Sequence, residues 1–394
     1  MPEEARAFHP SITNKEIWPG PGGYPWADTG IRTWTREGVL RRVAPSRLIC
    51  TWTTGGFTEP TPGNFTMIAR SDDDGETWAR PEILFQHPTR GLFTTELFVP
   101  NDNEVHAFVQ TYPHGSWMCH LHSYRAVSLD GGRTWNGPHS IPGGIENVWV
   151  NQGIVHSTGR WVIPISWAEL IGEEWAEPSI GRPPAECIVG GRAVKQAQLP
   201  YGADSALSQT TGNAWSDRNH RYVCGAILSD DGGNTFQLRG YIRGGRRGWL
   251  IEPKVVELSD GRIVMLIRSQ RDGWLWRSDS EDGGETWSEA AQSDIPNPSA
   301  KVKLLKSKDG RIFLIHNPTN SEGEIMRGRN PLSLWISDDD MATWKVRVDL
   351  VKDPNPKASL NYPDGYVDEE RGELHFAWED GRSVFLVRAP MDIS

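Results

Sequence analysis

The sequence predicts an all-β fold, a ring of six four-stranded antiparallel blades (a six-bladed β-propeller). Three observations carry this. An octapeptide recurs five times: SDDDGETW from Ser71, SLDGGRTW from Ser128, SDDGGNTF from Ser229, SEDGGETW from Ser280 and SDDDMATW from Ser337. Each copy follows a short run rich in β-branched and aromatic residues, such as NFTMIAR or PLSLWI. Long helical periodicity is nearly absent, while 41 glycines and 28 prolines punctuate the chain throughout.

The copies are spaced by 57, 101, 51 and 57 residues. One gap is close to twice the others, so the simplest reading places a missing or degenerate sixth copy between Trp135 and Ser229. Units of about fifty residues fall in the range of propeller arrays. The 394 residues are then one domain, 1–394, with a loop insertion near 174–209, where the sequence is irregular.

Each octapeptide reads as a hairpin connection. Ser and Asp side chains can bond to nearby backbone and close the turn. Glycine at the fifth position accepts positive φ. The terminal aromatic returns to the core, and many of the 19 tryptophans are expected to wedge between blades. An Asp-rich loop suggests calcium, but the DxDxDG series and closing Glu of a calcium loop are missing. No metal and no cofactor are expected.

Composition narrows the function. The chain has 37% hydrophobic residues and no apolar run approaching eighteen, so no helical membrane span is expected. MPEEARAFHPS has no apolar core and is not a signal peptide, which points to the cytoplasm. A net charge of −10 disfavours nucleic acid as a partner. Cys50, Cys119, Cys187 and Cys224 form no CxxC pair and read as buried thiols.

The S-x-D-x-G-x-T-W octapeptide resembles the Asp-box of sialidases and their relatives, which are six-bladed β-propellers. The resemblance is strong for fold and weaker for function. It directs attention to four stretches.

WLIEPKVVELSDGRIVMLIRS (249–269) reads as two strands joined by a turn. Glu252 opens the first and Arg268 ends the second, so the hairpin brings them to one end. In the family a Glu so placed assists a tyrosine nucleophile, and the Arg binds a substrate carboxylate. In RGRNPLSLWISDDD (327–340), Arg329 takes the place of another carboxylate-binding Arg, and Arg327 lies close enough to serve instead. In ASLNYPDGYVDEERGELHFAWEDGR (358–382), Tyr362 matches the nucleophile, and Glu379 resembles the acid that steadies an arginine of the cluster. In the stretch from 35 to 65, Arg36 would be the first arginine and Glu59 the general acid. The departures here are plain. Glu37-Gly38 stands where the family has Ile-Pro, Glu stands for Asp, Arg32 is an alternative, and Glu59 reads equally as an exposed loop charge.

A histidine group, His114, His120 and His122, lies in TYPHGSWMCHLHSYR with Trp117. Without a third ligand at fitting spacing, a structural role or a sugar contact, assigned to His122, fits better than a metal.

The resemblance implies an exo-acting hydrolase that removes a terminal acidic sugar with retention. Its partner is a carbohydrate, with no nucleic acid and no membrane. Three readings compete: a propeller lyase acting on uronates, an exo-arabinanase-like hydrolase, and a non-catalytic carbohydrate-binding propeller.

Overall fold

A computed structural model describes residues 5–20, 22, 35–55, 63–87, 90–112, 121–170, 186–187, 220–245, 249–270, 272–322 and 327–394. The described residues form six antiparallel sheets, the six blades of a propeller.

Blade 1 holds Arg36–Ala44, Arg47–Thr54, Phe65–Ser71 and Glu82–Gln86, with Glu186–Cys187 added at its outer edge. Blade 2 holds Gly91–Asn101, Glu104–Tyr112, His122–Ser128 and Asn136–Ser140. In blade 3 the inner strand is broken into Trp149–Val150 and Ile154–Val155, followed by Trp161–Leu170, His220–Ser229 and Gln237–Ile242. Blade 4 runs Leu250–Glu257, Ile263–Ser269, Trp274–Ser280 and Ala291–Pro296. Blade 5 runs Lys303–Lys306, Ile312–His316, Leu332–Ser337 and Val346–Lys352, with Ala7–Phe8 at its edge. Blade 6 has Asn361–Asp368, Glu373–Glu379 and Val384–Pro390, and takes its outer strand, Thr13–Trp18, from the chain's beginning.

The count of six units holds, but the place of the one without an octapeptide is corrected: among the described residues no further blade lies between Trp135 and Ser229. The octapeptides at Ser128 and Ser229 belong to consecutive blades. The wide gap reflects the long stretch between the second and third strands of blade 3, residues 171–219. The expected insertion at 174–209 lies, apart from Glu186–Cys187, outside the described residues. The blade without an octapeptide is the sixth. There the third strand is followed by the end of the chain, and the fourth strand arrives from the N-terminal side, Thr13 opposite Arg388. This pairing completes the sixth blade with a strand from the opposite end of the chain.

The octapeptides fold as the turn chemistry dictates. The Ser71 hydroxyl accepts from the Gly75 amide at 2.8 Å and donates to Asp73. Asp73 in turn accepts from the Thr77 amide at 2.8 Å. The same bonds recur around Asp130, Asp231, Asp282 and Asp339. The fourth and fifth positions are both left-handed: Asp74 and Gly75, or Gly283 and Gly284. In the fifth copy Met341 occupies this conformation, with φ at 66°.

Each pair of neighbouring blades shares an apolar cluster. Blades 5 and 6, for example, meet through Phe313, Leu332, Leu374 and Trp378. Trp18 and Trp52, with ring centroids 5.3 Å apart, lie between blades 6 and 1. Cys50 and Cys224 are buried free thiols.

Candidate functional site

The inner strands of blades 1, 4 and 6 begin in the same way. In each, the register slips within the first residues, between Arg36 and Val39, Ile251 and Lys254, and Asn361 and Asp364. Inside each slip sits a non-glycine residue with positive φ: Glu37 at 58°, Glu252 at 52° and Tyr362 at 49°. Such bulges re-aim side chains, and the strained backbone costs on the order of 1–3 kcal/mol per residue. All three lie at strand beginnings, whereas the octapeptides follow third-strand ends on the opposite rim.

At this rim three arginines converge on one phenol. Arg36, Arg268 and Arg329 are at most 4% exposed, and Tyr362 is 8% exposed. Arg329 Nη1 donates to Tyr362 Oη at 3.1 Å and to Asn361 Oδ1 at 3.0 Å, and its Nη2 donates to the Ser299 carbonyl at 2.7 Å. The guanidinium groups of Arg36 and Arg329 lie 5.7 and 5.0 Å from the centroid of the Tyr362 ring. Arg268 Nη1 donates to Glu252 Oε2 at 2.5 Å. Arg36 Nη1 donates to Glu379 Oε1 at 3.1 Å.

The electrostatics follow from burial. Burial works against the charge on Arg268, but Glu252 and then Tyr362 offset it, and the guanidinium is held above its ordinary value. Among the described residues Arg329 has no carboxylate partner. Burial, with repulsion from Arg268 and Arg36, lowers it despite the help of Tyr362. Burial also lifts the Glu379 carboxyl above its usual range, against the pull of Arg36. Among the described residues, three buried donors near this cluster have no protein acceptor: Arg329 Nε, Asn361 Nδ2 and Gln270 Nε2. Gln270 belongs to the cluster because its Oε1 accepts from Ser299 Oγ at 3.3 Å, and Ser299 Oγ lies 3.4 Å from Arg268. A cluster of three guanidinium groups against two carboxylates, with idle donors beside them, suits an anion.

Six of the expected residues are therefore gathered: Arg36, Glu252, Arg268, Arg329, Tyr362 and Glu379. Between the two candidates in one stretch, Arg329 is buried in the cluster and Arg327 is exposed. Glu59, Arg32, His114, Trp117 and His120 lie outside the described residues. His122 opens the third strand of blade 2, two strands away from the axis, on the same rim.

Sequence reasoning missed Asn361 and Ser299, which hold the arginines, and Gln270, which bonds to Ser299. Asn361 precedes the tyrosine and could have been found by adjacency. Ser299 has φ at 56° and no local pattern that marks it. Also missed was the buried charge network of the central channel. Arg41 bonds to Glu96 and Asp364, and Lys303 Nζ lies 3.0 Å from Asp364. Lys301 Nζ lies 3.8 Å from Glu37, and Lys254 Nζ donates to Asn151 Oδ1 at 3.4 Å. Asp364, two residues after the tyrosine, anchors this network.

Comparison with known proteins places the fold. Residues 46–376 match the family described as BNR repeat-like domain. The sialidase of Bacteroides fragilis is 22% identical over 323 residues, covering 73% of this chain and 49% of that protein. The sialidase of Vibrio cholerae is 26% identical over 198 residues, covering 43% of this chain and 24% of that protein. The chain thus spans half or less of the curated relatives it matches. A solved structure of Trypanosoma rangeli sialidase, with 2,3-difluorosialic acid as a covalent intermediate, superposes with a TM-score of 0.63 at 16% identity. That superposition covers 98% of this chain and 59% of that one. With the match running over most of its length and its six blades arranged as in the sialidase propellers, the chain belongs to the BNR repeat-like family.

Proposed function

We propose that this chain is an exo-acting glycoside hydrolase that releases a terminal acidic sugar, a sialic or related ulosonic acid, with retention. The observation that carries this reading is the convergence of Arg36, Arg268 and Arg329, from three blades, on the buried Tyr362 hydroxyl.

The arginines would clamp the sugar carboxylate by paired hydrogen bonds. A carboxylate at the anomeric carbon repels an Asp or Glu nucleophile. A neutral phenol avoids that repulsion, and sialidases are a stated exception to the two-carboxylate scheme. Tyr362 Oη would bond to the anomeric carbon as the glycosidic C–O bond breaks. Glu252 would take the phenolic proton, and Glu59 would protonate the leaving oxygen. Water would then displace the tyrosine, giving its proton to the Glu59 carboxylate, while the proton on Glu252 returns to the phenolate. Glu252 is engaged by Arg268. A bound carboxylate competes for that guanidinium and frees Glu252 to act as base.

Glu379 would hold Arg36 in place, and Asn361 with the Ser299 carbonyl would hold Arg329. The arabinanase reading requires two facing carboxylates and no arginine cluster, so the same convergence argues against it.

The test is turnover of a fluorogenic sialoside, with Tyr362→Phe as control. Absorbance of unsaturated uronate is followed in parallel on acidic polysaccharides. Release that vanishes in the variant is expected. Silence on the sialoside with a rise in unsaturated product would move the assignment to a lyase. Silence on both would leave a binding propeller.

A further inference from the structure

A concavity lies on the same rim, outside the arginine cluster. It encloses about 460 Å³ and is lined by Gly245, Asp272, Trp274, Trp276, Gln292 and Glu322. We propose that it is a second saccharide-binding site, one that takes a neutral, hydroxyl-rich sugar.

Its place follows from register. Trp274 opens the strand that ends at the Ser280 octapeptide, so it lies at the far end of that strand from the turn. Arg268 pairs with Leu275 in the same ladder, which puts Trp274 level with the end of the strand that carries the arginine. The facing wall comes from the connection between the second and third strands of blade 5. That connection holds Glu322 and, further on, Arg329. The two walls touch: a Cβ on Gly273 would lie 2.2 Å from Asn320 Oδ1. The concavity is therefore framed by the third strand of blade 4, which pairs with the strand that carries Arg268, and by the blade 5 connection that holds Arg329.

Its chemistry differs from that of the cluster. Two half-buried indoles, Trp274 and Trp276, offer apolar faces for the C–H side of a sugar ring. Trp276 is fixed by a 3.0 Å bond from Nε1 to Asp272 Oδ2. Asp272 is only 5% exposed and also accepts from the Ser269 hydroxyl. Gly245, with φ at 78°, keeps this floor open. A Cβ there would stand 3.1 Å from Ser269 Oγ and 3.4 Å from Asp272 Oδ2. Gln292 and Glu322 are exposed at the lip. Every charge among the described lining residues is negative, so a second acidic sugar is repelled while hydroxyl donors are welcome. The choice of a sugar as ligand rests on the carbohydrate reading of the neighbouring cluster, and the site itself does not depend on catalysis there.

The test is ligand-observed NMR titration with lactose, N-acetyllactosamine, cellotriose and maltotriose, and with sialic acid as the anionic counterpart. Saturable binding of at least one neutral sugar is expected. Trp274→Ala should weaken it about tenfold or more, the scale of one lost aromatic contact. Trp274→Phe, which keeps a ring face, should retain most of it, and thermal unfolding confirms that both variants fold. The titration is repeated on Tyr362→Phe, where neutral-sugar binding persists even if neither protein turns over a sialoside. The two readings can therefore fail separately. Absence of binding by every neutral sugar, unchanged affinity in Trp274→Ala, or displacement of the neutral sugar from this site by sialic acid would each overturn the proposal.

Discussion

Arg268 and Glu252 form an ion pair with side chains 4% and 1% exposed, at 2.5 Å. Substituting Arg268→Met removes the positive partner and strands a carboxylate away from water. Breaking a buried pair from one side costs about 3–5 kcal/mol. With an unfolding entropy of about 2.1 cal/mol/K per residue over the 394 residues, that is a Tm loss of about 4–6 °C. A protein with roughly 5–15 kcal/mol of stability remains folded at room temperature under such a loss. Removing both charges, Arg268→Met with Glu252→Gln, leaves no isolated ion and should recover most of the lost Tm. Activity should not return, since both groups are assigned to the chemistry. Differential scanning calorimetry on the wild type, both single variants and the double variant closes the cycle. A Tm loss under about 1 °C for Arg268→Met, or a double variant no more stable than that single one, would refute the claim that the pair is held together by mutual burial.

Further outcomes are expected from other titrating groups. Burial, reinforced by Lys301, lowers Lys254 to about 8. Below that pH both folded and unfolded chains carry the proton and the folded chain bears the penalty. Stability should therefore rise by about 3 kcal/mol between pH 8 and the unfolded value near 10.4. Lys254→Met should lack this rise in denaturant titrations, and parallel profiles would count against it. Glu379 is raised by burial, with Arg36 only partly opposing. Its contribution to stability is full below the unfolded value, near about 4.3, and is lost as pH rises through the folded one. Glu379→Gln should flatten that decline, and should raise KM for an acidic sugar by loosening Arg36. The Thr77 hydroxyl holds Asp73 down to about 2, and Thr343 does the same for Asp339. These depressed groups contribute stability above their unfolded values that is lost as pH falls through about 2. Asp73→Asn should lower Tm at pH 7 and narrow the gap to wild type in acid.

The octapeptides could be read directly because everything that shapes them is contiguous. Ser71, Asp73, Gly75 and Thr77 bond to one another within seven residues, so their recurrence reports hairpins and their spacing reports blades. Glu252 and Arg268 were similarly legible, since a single hairpin joins them. Where partners are distant in the chain, sequence order alone decided less. It suggested a sixth copy in the wide gap, yet ring closure came from pairing Thr13 with Arg388, a contact that no local pattern encodes. It left Arg327 and Arg329 open, and only the packed rim buries one and exposes the other. The bulges that turn Glu37, Glu252 and Tyr362 inward, and the channel network of Arg41, Glu96, Lys303 and Asp364, join residues from several blades. Local turn chemistry is set by neighbours a few bonds away, whereas convergence at a central axis is set by strand register and blade order, which exist only once the ring has closed.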